Sequence, residues 1–416
     1  MSERIQRARG GSEALQAQVD ELAEELRRSV VLDDPLVRLI CSSRHFGDED
    51  PVRIRSLLQG RADNEPIRYI LDLGVAQWTA PGFIEGRDDL GLLTRYCVPL
   101  RERGVLLGLL MVVAPGRSLP EHATEAIARV VPAMAAQMYA EHLAATAEES
   151  GERELLPALL GRGATARATA QQKIVDSGLL RNTAETVVTL VQVSRSPEPP
   201  GQVELALQGA LEKYRQTRWG QGIVAVAPER AVLLQAFDRP TDPQDLADQS
   251  ARILEALGTF LDPAAAPVIG VGGRQSGLAD AWISYEQAAV AARAARRLPR
   301  LKGAGDWEEL GEFAVLLQLP DHTLNESLLP KALRVLLGHT GGDRLVETLR
   351  TFLDHAGSIP RTAEALQIHR TSLYYRLRQI QEITGLDLDS GADRLVLHTG
   401  LRLQDLLASP DDDARA

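Results

Sequence analysis

Apolar residues along the chain follow several patterns, and the pattern changes with position. Over residues 12–30, Leu15, Val19, Leu22, Leu26 and Val30 recur at alternating four- and three-residue steps, which makes one stripe of a helix. The stripe suits packing on its own domain or pairing with a second subunit, and it is too short for an independent coiled coil. From about 30 to 113 the period shortens. VVLDDPLVRLICSS places strand-like stretches around an Asp-Asp-Pro turn. YCVPL at 96–100, the charged turn RERG and VLLGLLMVV at 105–113 read as a β-hairpin feeding a buried strand. A long helix is predicted over 121–146, with Ile127, Val131, Met134 and Met138 on one side. Pro132 removes a backbone donor within it and is expected to bend it, either as a transmitting element or as a plain kink.

A small, polar and charged segment at 148–152 marks a boundary. Beyond it, VVTLVQV at 187–193 is a strand and SRSPEPPG a loop. Residues 202–215 read as a helix. Residues 222–227 and 231–237 read as paired strands around a Pro-Glu-Arg turn, 242–261 as a helix, 268–271 as a short strand and 278–297 as an Ala-rich helix. Alternating strands and helices imply a sheet covered by helices. From about residue 320 the strand signal vanishes and each periodic segment is helical, up to a tail, SPDDDARA, expected to be disordered.

Composition adds limits. At 416 residues the chain suits two or three domains, and its 44% hydrophobic and 25% charged residues are ordinary for globular cores. No apolar run approaches the ~18 residues of a membrane span, and MSERIQRARGGSE lacks the apolar core of a secretory signal. Cys41 and Cys97 lack Cys-x-x-Cys spacing, so neither a disulfide framework nor a zinc site follows. The expected location is the cytoplasm, with no membrane partner. A heme or metal role for Cys41, Cys97 and His45 competes with simple packing. Trp78, Trp219, Trp282 and Trp307 read as core or interface residues.

The net charge of −11 is awkward for a nucleic-acid binder, but it is unevenly spread. Over 361–381, Arg361, Arg370, Arg376 and Arg378 face a single acid, Glu364. An acidic body with a small basic head would disfavour unselective DNA binding. The segment reads as two short helices. Ser358 is placed as an N-cap with Pro360 in the first turn, and Gln367 and Ile368 turn the chain. Ala363, Leu366, Ile368, Leu373, Leu377 and Ile380 form a small core. At about 100° per residue, Thr371, Tyr375 and Arg378 fall opposite that core, with Arg370, Ser372, Tyr374 and Arg376 flanking it. Arg370, Thr371, Ser372 and Tyr375 suit base readout, and Arg361, Arg376 and Arg378 suit phosphate. His369 is open to two roles, helix cap or base reader.

These residues carry a resemblance. Thr348-Leu349, Ala363, Leu366, His369, Arg370, Leu373, Tyr375, Arg376, Leu377 and Thr384-Gly385-Leu386 fall as in the C-terminal helix-turn-helix of the PucR family of bacterial transcription regulators. Thr371 and Ser372 stand where that family usually has Asn-Thr. Residues 268–296, with Gly270, Gly272, Ser284, Tyr285 and Ala288, resemble the degenerate GGDEF-like domain that precedes this motif in many relatives. The N-terminal unit resembles a GAF sensor domain.

The resemblance implies a multidomain α+β chain: an N-terminal helix plus GAF-like α/β sensor over 12–147, a GGDEF-like α/β domain over 152–319 and an all-α helix-turn-helix domain over 322–407. The implied function is sequence-specific binding of double-stranded operator DNA in transcription regulation, with a small-molecule effector in the GAF-like unit and a homodimer or higher homo-oligomer. The alternative is a ligand-binding scaffold whose helical end docks a protein. Nucleotide cyclase chemistry is not expected. Gly272-Gly273 is followed by Arg274-Gln275, which cannot hold the Mg²⁺ that a triphosphate site needs. The glycines read as a tight strand exit. No catalytic residue, metal or cofactor is predicted.

Overall fold

A computed structural model describes residues 2–44, 46–48, 64–181, 184–194, 201–217 and 220–408. His45, Trp219 and the tail at 409–416 lie outside the described residues. The chain is mixed α/β, its strands fall in two sheets, and it divides into two compact units. The first comprises residues 1–267 and 274–284, the second 268–273 and 285–416.

The first unit begins with helix α1 (Ser2–Leu26). Arg27, at φ 50°, leaves the helix and Val30 already opens a strand. The predicted stripe therefore ends one step earlier than its spacing indicates. Strands β1 (Val30–Asp33), β2 (Leu39–Ser42), β3 (Gly82–Ile84), β4 (Arg95–Glu102) and β5 (Val105–Val113) form an antiparallel sheet in the order β2-β1-β5-β4-β3. Helix α2 (Asn64–Asp72) precedes β3, and the long helix α3 (Glu121–Leu160) follows β5.

Both sheet faces are covered, which explains why β5 is a continuous apolar run rather than an alternation. On one face Leu32, Val98, Leu100, Leu110 and Val112 pack with Leu15, Val19 and Leu22 of α1 and Ile127, Met134 and Met138 of α3. On the other, Val31, Cys97, Leu109 and Met111 pack with Ile67 and Ile70 of α2. The α1 stripe is thus spent inside its own unit. Pro132 and Pro157 both lie inside α3, and the helix runs on through 148–152.

The same unit continues with α4 (Ala164–Asp176), β6 (Glu185–Gln192), α5 (Gln202–Leu211), β7 (Gln216–Thr217), β8 (Gly220–Ala227), β9 (Arg230–Phe237) and α6 (Pro243–Phe260). Strands β6, β9, β8 and β7 pair antiparallel in that order. Asp242 caps α6 through Gln244 N–H, with Pro243 in the first turn. Trp282 stacks under the Arg167 guanidinium at 4.8 Å, and Trp78 packs on the β-sheet core.

In the second unit β10 (Val268–Val271) pairs parallel with β11 (Ala304–Asp306). Helix α7 (Ala281–Arg297) enters this unit at Tyr285. A Cβ on Gly270 would collide with the Ala288 carbonyl and the Ala292 amide of α7. One on Gly305 would come within 2.5 Å of the Ala291 carbonyl oxygen. These glycines, with the Ala-rich face of α7, let helix and strands approach closely. The rest is helical: α8 (Phe313–Leu316), α9 (Lys331–Leu337), α10 (Gly342–Asp354), α11 (Ile359–Ala365), α12 (Arg370–Thr384) and α13 (Gly391–Leu407). Their shared core includes Leu333, Leu345, Leu349, Phe352, Ala363, Leu373, Leu377, Ile380, Leu397 and Leu401, with Trp307 packed against it.

Candidate nucleic-acid interface

The basic segment forms a helix, a tight turn and a second helix. Helix α11 ends in a residue of left-handed backbone, Gln367 at φ 53°. The Ile368 amide donates to Ala363 O at 3.0 Å and the Gln367 amide to Glu364 O at 3.0 Å. This is the six-to-one and five-to-two bond pair of a Schellman ending, here built on glutamine rather than glycine. Ala363, Leu373, Leu377 and Ile380 are buried, while Leu366 and Ile368 pack partly buried against them. All six predicted core residues therefore lie together. Ser358 occupies the N-cap position of α11, but its hydroxyl makes no cap bond. Its carbonyl instead accepts from Thr362 Oγ1 at 2.7 Å.

Helix α12 starts at His369, whose Nδ1 accepts from the Thr371 amide at 3.3 Å and lies 3.1 Å from Thr371 Oγ1. The ring thus acts as the N-cap, the first of the two roles open to it. Gly385, at φ 71°, ends the helix, and its amide donates to Gln381 O at 2.8 Å.

Arg361, His369, Arg370, Thr371, Ser372, Tyr374, Tyr375 and Arg378 are all exposed. Tyr374 and Tyr375 are 59% and 70% accessible, high for aromatic side chains in so small a domain. Arg378 Nε donates to Glu382 Oε1 one turn on at 3.1 Å, both side chains being open to solvent. Arg376 is placed differently. It is half-buried on the inner edge of α12 and its Nη1 donates to Thr348 Oγ1 of α10 at 3.2 Å. Sequence reasoning missed this contact, because two residues 28 positions apart leave no periodic signal.

No group of three or more His, Cys, Asp or Glu able to hold a metal occurs among the described residues. Burial pushes the Cys97 thiol up to about 12, with Asp33 adding to it. Burial, Asp20 and Asp33 push Cys41 to about 12 as well. Both stay protonated and pack in the sheet cores. The Gly273 amide donates to Gln287 Oε1 at 3.0 Å, so the glycine segment after β10 is engaged by its own helix. The tight turn between β8 and β9, Ala227-Pro228-Glu229-Arg230, carries one carboxylate and no glycine.

Comparison with known proteins follows the same lines. Residues 345–403 match the PucR C-terminal helix-turn-helix domain, and residues 109–294 match a GGDEF-like domain. The carbohydrate diacid regulator of Escherichia coli is 39% identical over 85 residues, 20% of this chain and 22% of that protein. An uncharacterized Bacillus subtilis protein, YsfB, is 34% identical over 124 residues, 29% of this chain and 31% of its own. These matches span a third or less of either relative. The DNA-binding transcriptional activator AdeR of Bacillus subtilis aligns over 92% of both chains at 19% identity. A regulator of polyketide synthase expression from Bifidobacterium adolescentis superposes with a TM-score of 0.29 at 20% identity, over 61% of this chain and 97% of its own. No helix among the described residues is long and apolar enough to cross a membrane. The exposed helices α11 and α12 thus fall in a segment similar to the C-terminal helix-turn-helix of the PucR regulators, and an upstream segment is similar to a GGDEF-like domain.

Proposed function

We propose that the protein is a cytoplasmic transcription regulator that binds double-stranded operator DNA through α12, without enzymatic activity of its own. The observation that carries this reading is the outer face of α12. There Arg370, Thr371, Ser372, Tyr374, Tyr375 and Arg378 stand exposed on a helix held by a buried apolar core. Hydroxyl, phenol and guanidinium groups on one helical face suit the donor and acceptor pattern of a major groove. In this reading Arg370, Thr371, Ser372 and Tyr375 contact base edges, while Arg361 and Arg378 contact phosphate. His369 acts by fixing the start of the helix.

Three domains with boundaries near 147–152 and 319–322, the N-terminal one a GAF-like sensor, belong to the same proposal. So does a homodimer spanning two half-sites, because one such module covers few base pairs. A small-molecule effector acts in this scheme only by binding one arrangement of the two heads more tightly than another.

The test is salt-dependent binding of duplex DNA by the full chain. Arg370→Ala costs about 1–3 kcal/mol at the preferred sequence and blurs preference, whereas Arg378→Ala weakens all sequences alike and flattens the salt slope by about one unit. Equal losses from both variants on preferred and random duplex refute the division of roles. A wild-type chain that binds no duplex at low ionic strength refutes the function.

A further inference from the structure

We infer that Arg376 is a positioning residue that sets the roll of the recognition helix against α10, and does not itself contact the phosphate backbone; this rests on the DNA-binding reading above. Three buried residues of α12, Leu373, Leu377 and Ile380, fix how deeply the helix sits in its domain. A row of aliphatic side chains constrains rotation about the helix axis poorly, since apolar contact is non-directional. A hydrogen bond off to one side of that row supplies the missing constraint.

Arg376 lies there. It projects about 60° to one side of the core direction, beside the partly buried Ile383. Its Nη1 reaches Thr348 Oγ1 at 3.2 Å. Thr348 is fully buried, and its hydroxyl also donates to Arg344 O at 2.7 Å one turn back in α10. The hydroxyl therefore accepts from one partner and donates to the other, which fixes its own rotamer and makes it a rigid anchor. A half-buried arginine whose guanidinium is tied to a buried hydroxyl faces the domain interior. Arg378, by contrast, sits on the outer face with its side chain open to solvent.

The two roles leave different traces. A phosphate contact contributes to the salt dependence of binding, about 0.9 units of slope per phosphate neutralised. A positioning contact contributes to affinity at the selected sequence alone. It aligns base-reading groups without adding a counterion-releasing charge.

The experiment uses the full chain and two probes: a duplex selected by the wild-type protein from a randomised library, and a random-sequence duplex. Fluorescence anisotropy over a salt series is recorded for wild type, Arg376→Met, Thr348→Val, Thr348→Ser and the double variant Arg376→Met/Thr348→Val, each checked for folding by circular dichroism. The expectation is that Arg376→Met and Thr348→Val each weaken the selected duplex about tenfold or more. Random duplex stays within about twofold and the slope is unchanged. Thr348→Ser keeps the hydroxyl and restores selected binding. The double variant loses no more than the worse single one, as two halves of one contact require. A slope flattened by about one unit in Arg376→Met, with Thr348→Val binding normally, overturns the positioning role and leaves the DNA reading intact. Additive losses overturn it too. Wild-type protein that binds neither probe ends both.

Discussion

Glu382 is the one acidic residue between Arg370 and Thr384, and it lies on the exposed face of α12. Its carboxylate accepts from Arg378 Nε at 3.1 Å while both side chains remain more than 60% exposed. Replacing Glu382 with Gln removes a negative charge from a surface meant to approach phosphates and releases Arg378. The cost to the fold is small. An exposed i,i+4 pair contributes about 0.3–0.5 kcal/mol. Glu382 also stands in the last turn of the helix, where the dipole disfavours an anion, so part of that loss is returned.

The gain in binding is larger. The pair with Glu382 competes with phosphate for Arg378, so its removal steepens the salt slope by a fraction of the about 0.9 units that one phosphate is worth. Affinity near ~0.1 M salt then rises severalfold on any duplex, since each 1.4 kcal/mol is worth about tenfold. Anisotropy titrations of Glu382→Gln on selected and random DNA, with a melting curve for stability, decide the matter. Weaker binding confined to the selected sequence would show Glu382 accepting from a cytosine amine. An unchanged slope and affinity would show that Glu382 does not hold Arg378 back from phosphate. Either result refutes the reasoning.

Other predictions concern elements elsewhere in the chain. Ser284 Oγ accepts from the Val188 amide at 2.9 Å, with Ser284 fully buried, so Ser284→Ala orphans a buried N–H at a cost of about 1–3 kcal/mol. A urea midpoint unmoved by this change would mean that the amide finds another partner. Gln367 at φ 53° is strained as an L-residue, so Gln367→Gly is neutral or stabilises by up to about 1 kcal/mol and Gln367→Val destabilises by about 1–2 kcal/mol. Melting of the two variants in the opposite order contradicts the turn assignment. The Cys97 thiol is held near 12 by burial, above its unfolded value. Below about pH 8.5 both states keep the proton and stability is unaffected. Above it the unfolded chain ionises first, and stability falls by about 1.4 kcal/mol per pH unit until the folded thiol also titrates. Denaturant midpoints between pH 8 and 10 should drop more steeply in wild type than in Cys97→Ala. Equal slopes would contradict the burial argument.

What the sequence disclosed, and what it hid, follows from the range of each interaction. Strands β4, β5, β6, β8 and β9 announce themselves through runs of adjacent apolar residues, and the six core positions of the reading head follow from helical spacing. The weak elements were silent. Strand β11 is three residues of Ala-Gly-Asp held by its pairing with β10, and α4 is mostly alanine and polar residues with only Ala170 and Ile174 buried. Ser284 and Tyr285 stood out only as part of a family resemblance. The physical reason for the serine, an amide in β6 that it satisfies from 96 residues away, is a tertiary fact. Arg376 shows the same limit at the site: spacing could place it at the flank of the helix, but not name Thr348 as its partner.

The acidic total remains the strongest objection to a DNA-binding role, and the arrangement of charge answers it. Residues 345–403 contain seven arginines and seven acidic residues, so the whole net charge of −11 belongs to the rest of the chain. In and just beyond that neutral span the charges are also sorted. Arg350 pairs with Asp405 at 2.8 Å, Arg402 with Asp354 at 2.8 Å and Arg394 with Asp389 at 3.6 Å, on α10, α13 and the loop between α12 and α13. Arg361, Arg370 and Arg378 stand instead on α11 and α12, where the acids are Glu364 and Glu382. Charges interact within about 10 Å at 0.1 M salt, so a phosphate against α12 responds mainly to the local set and little to distant carboxylates. A net negative charge on the whole chain discourages chance encounters with DNA, which favours selectivity. Raising the salt should therefore weaken binding through the few arginines of the head while easing the repulsion from the body. The net slope should be shallower than a count of head arginines alone would give.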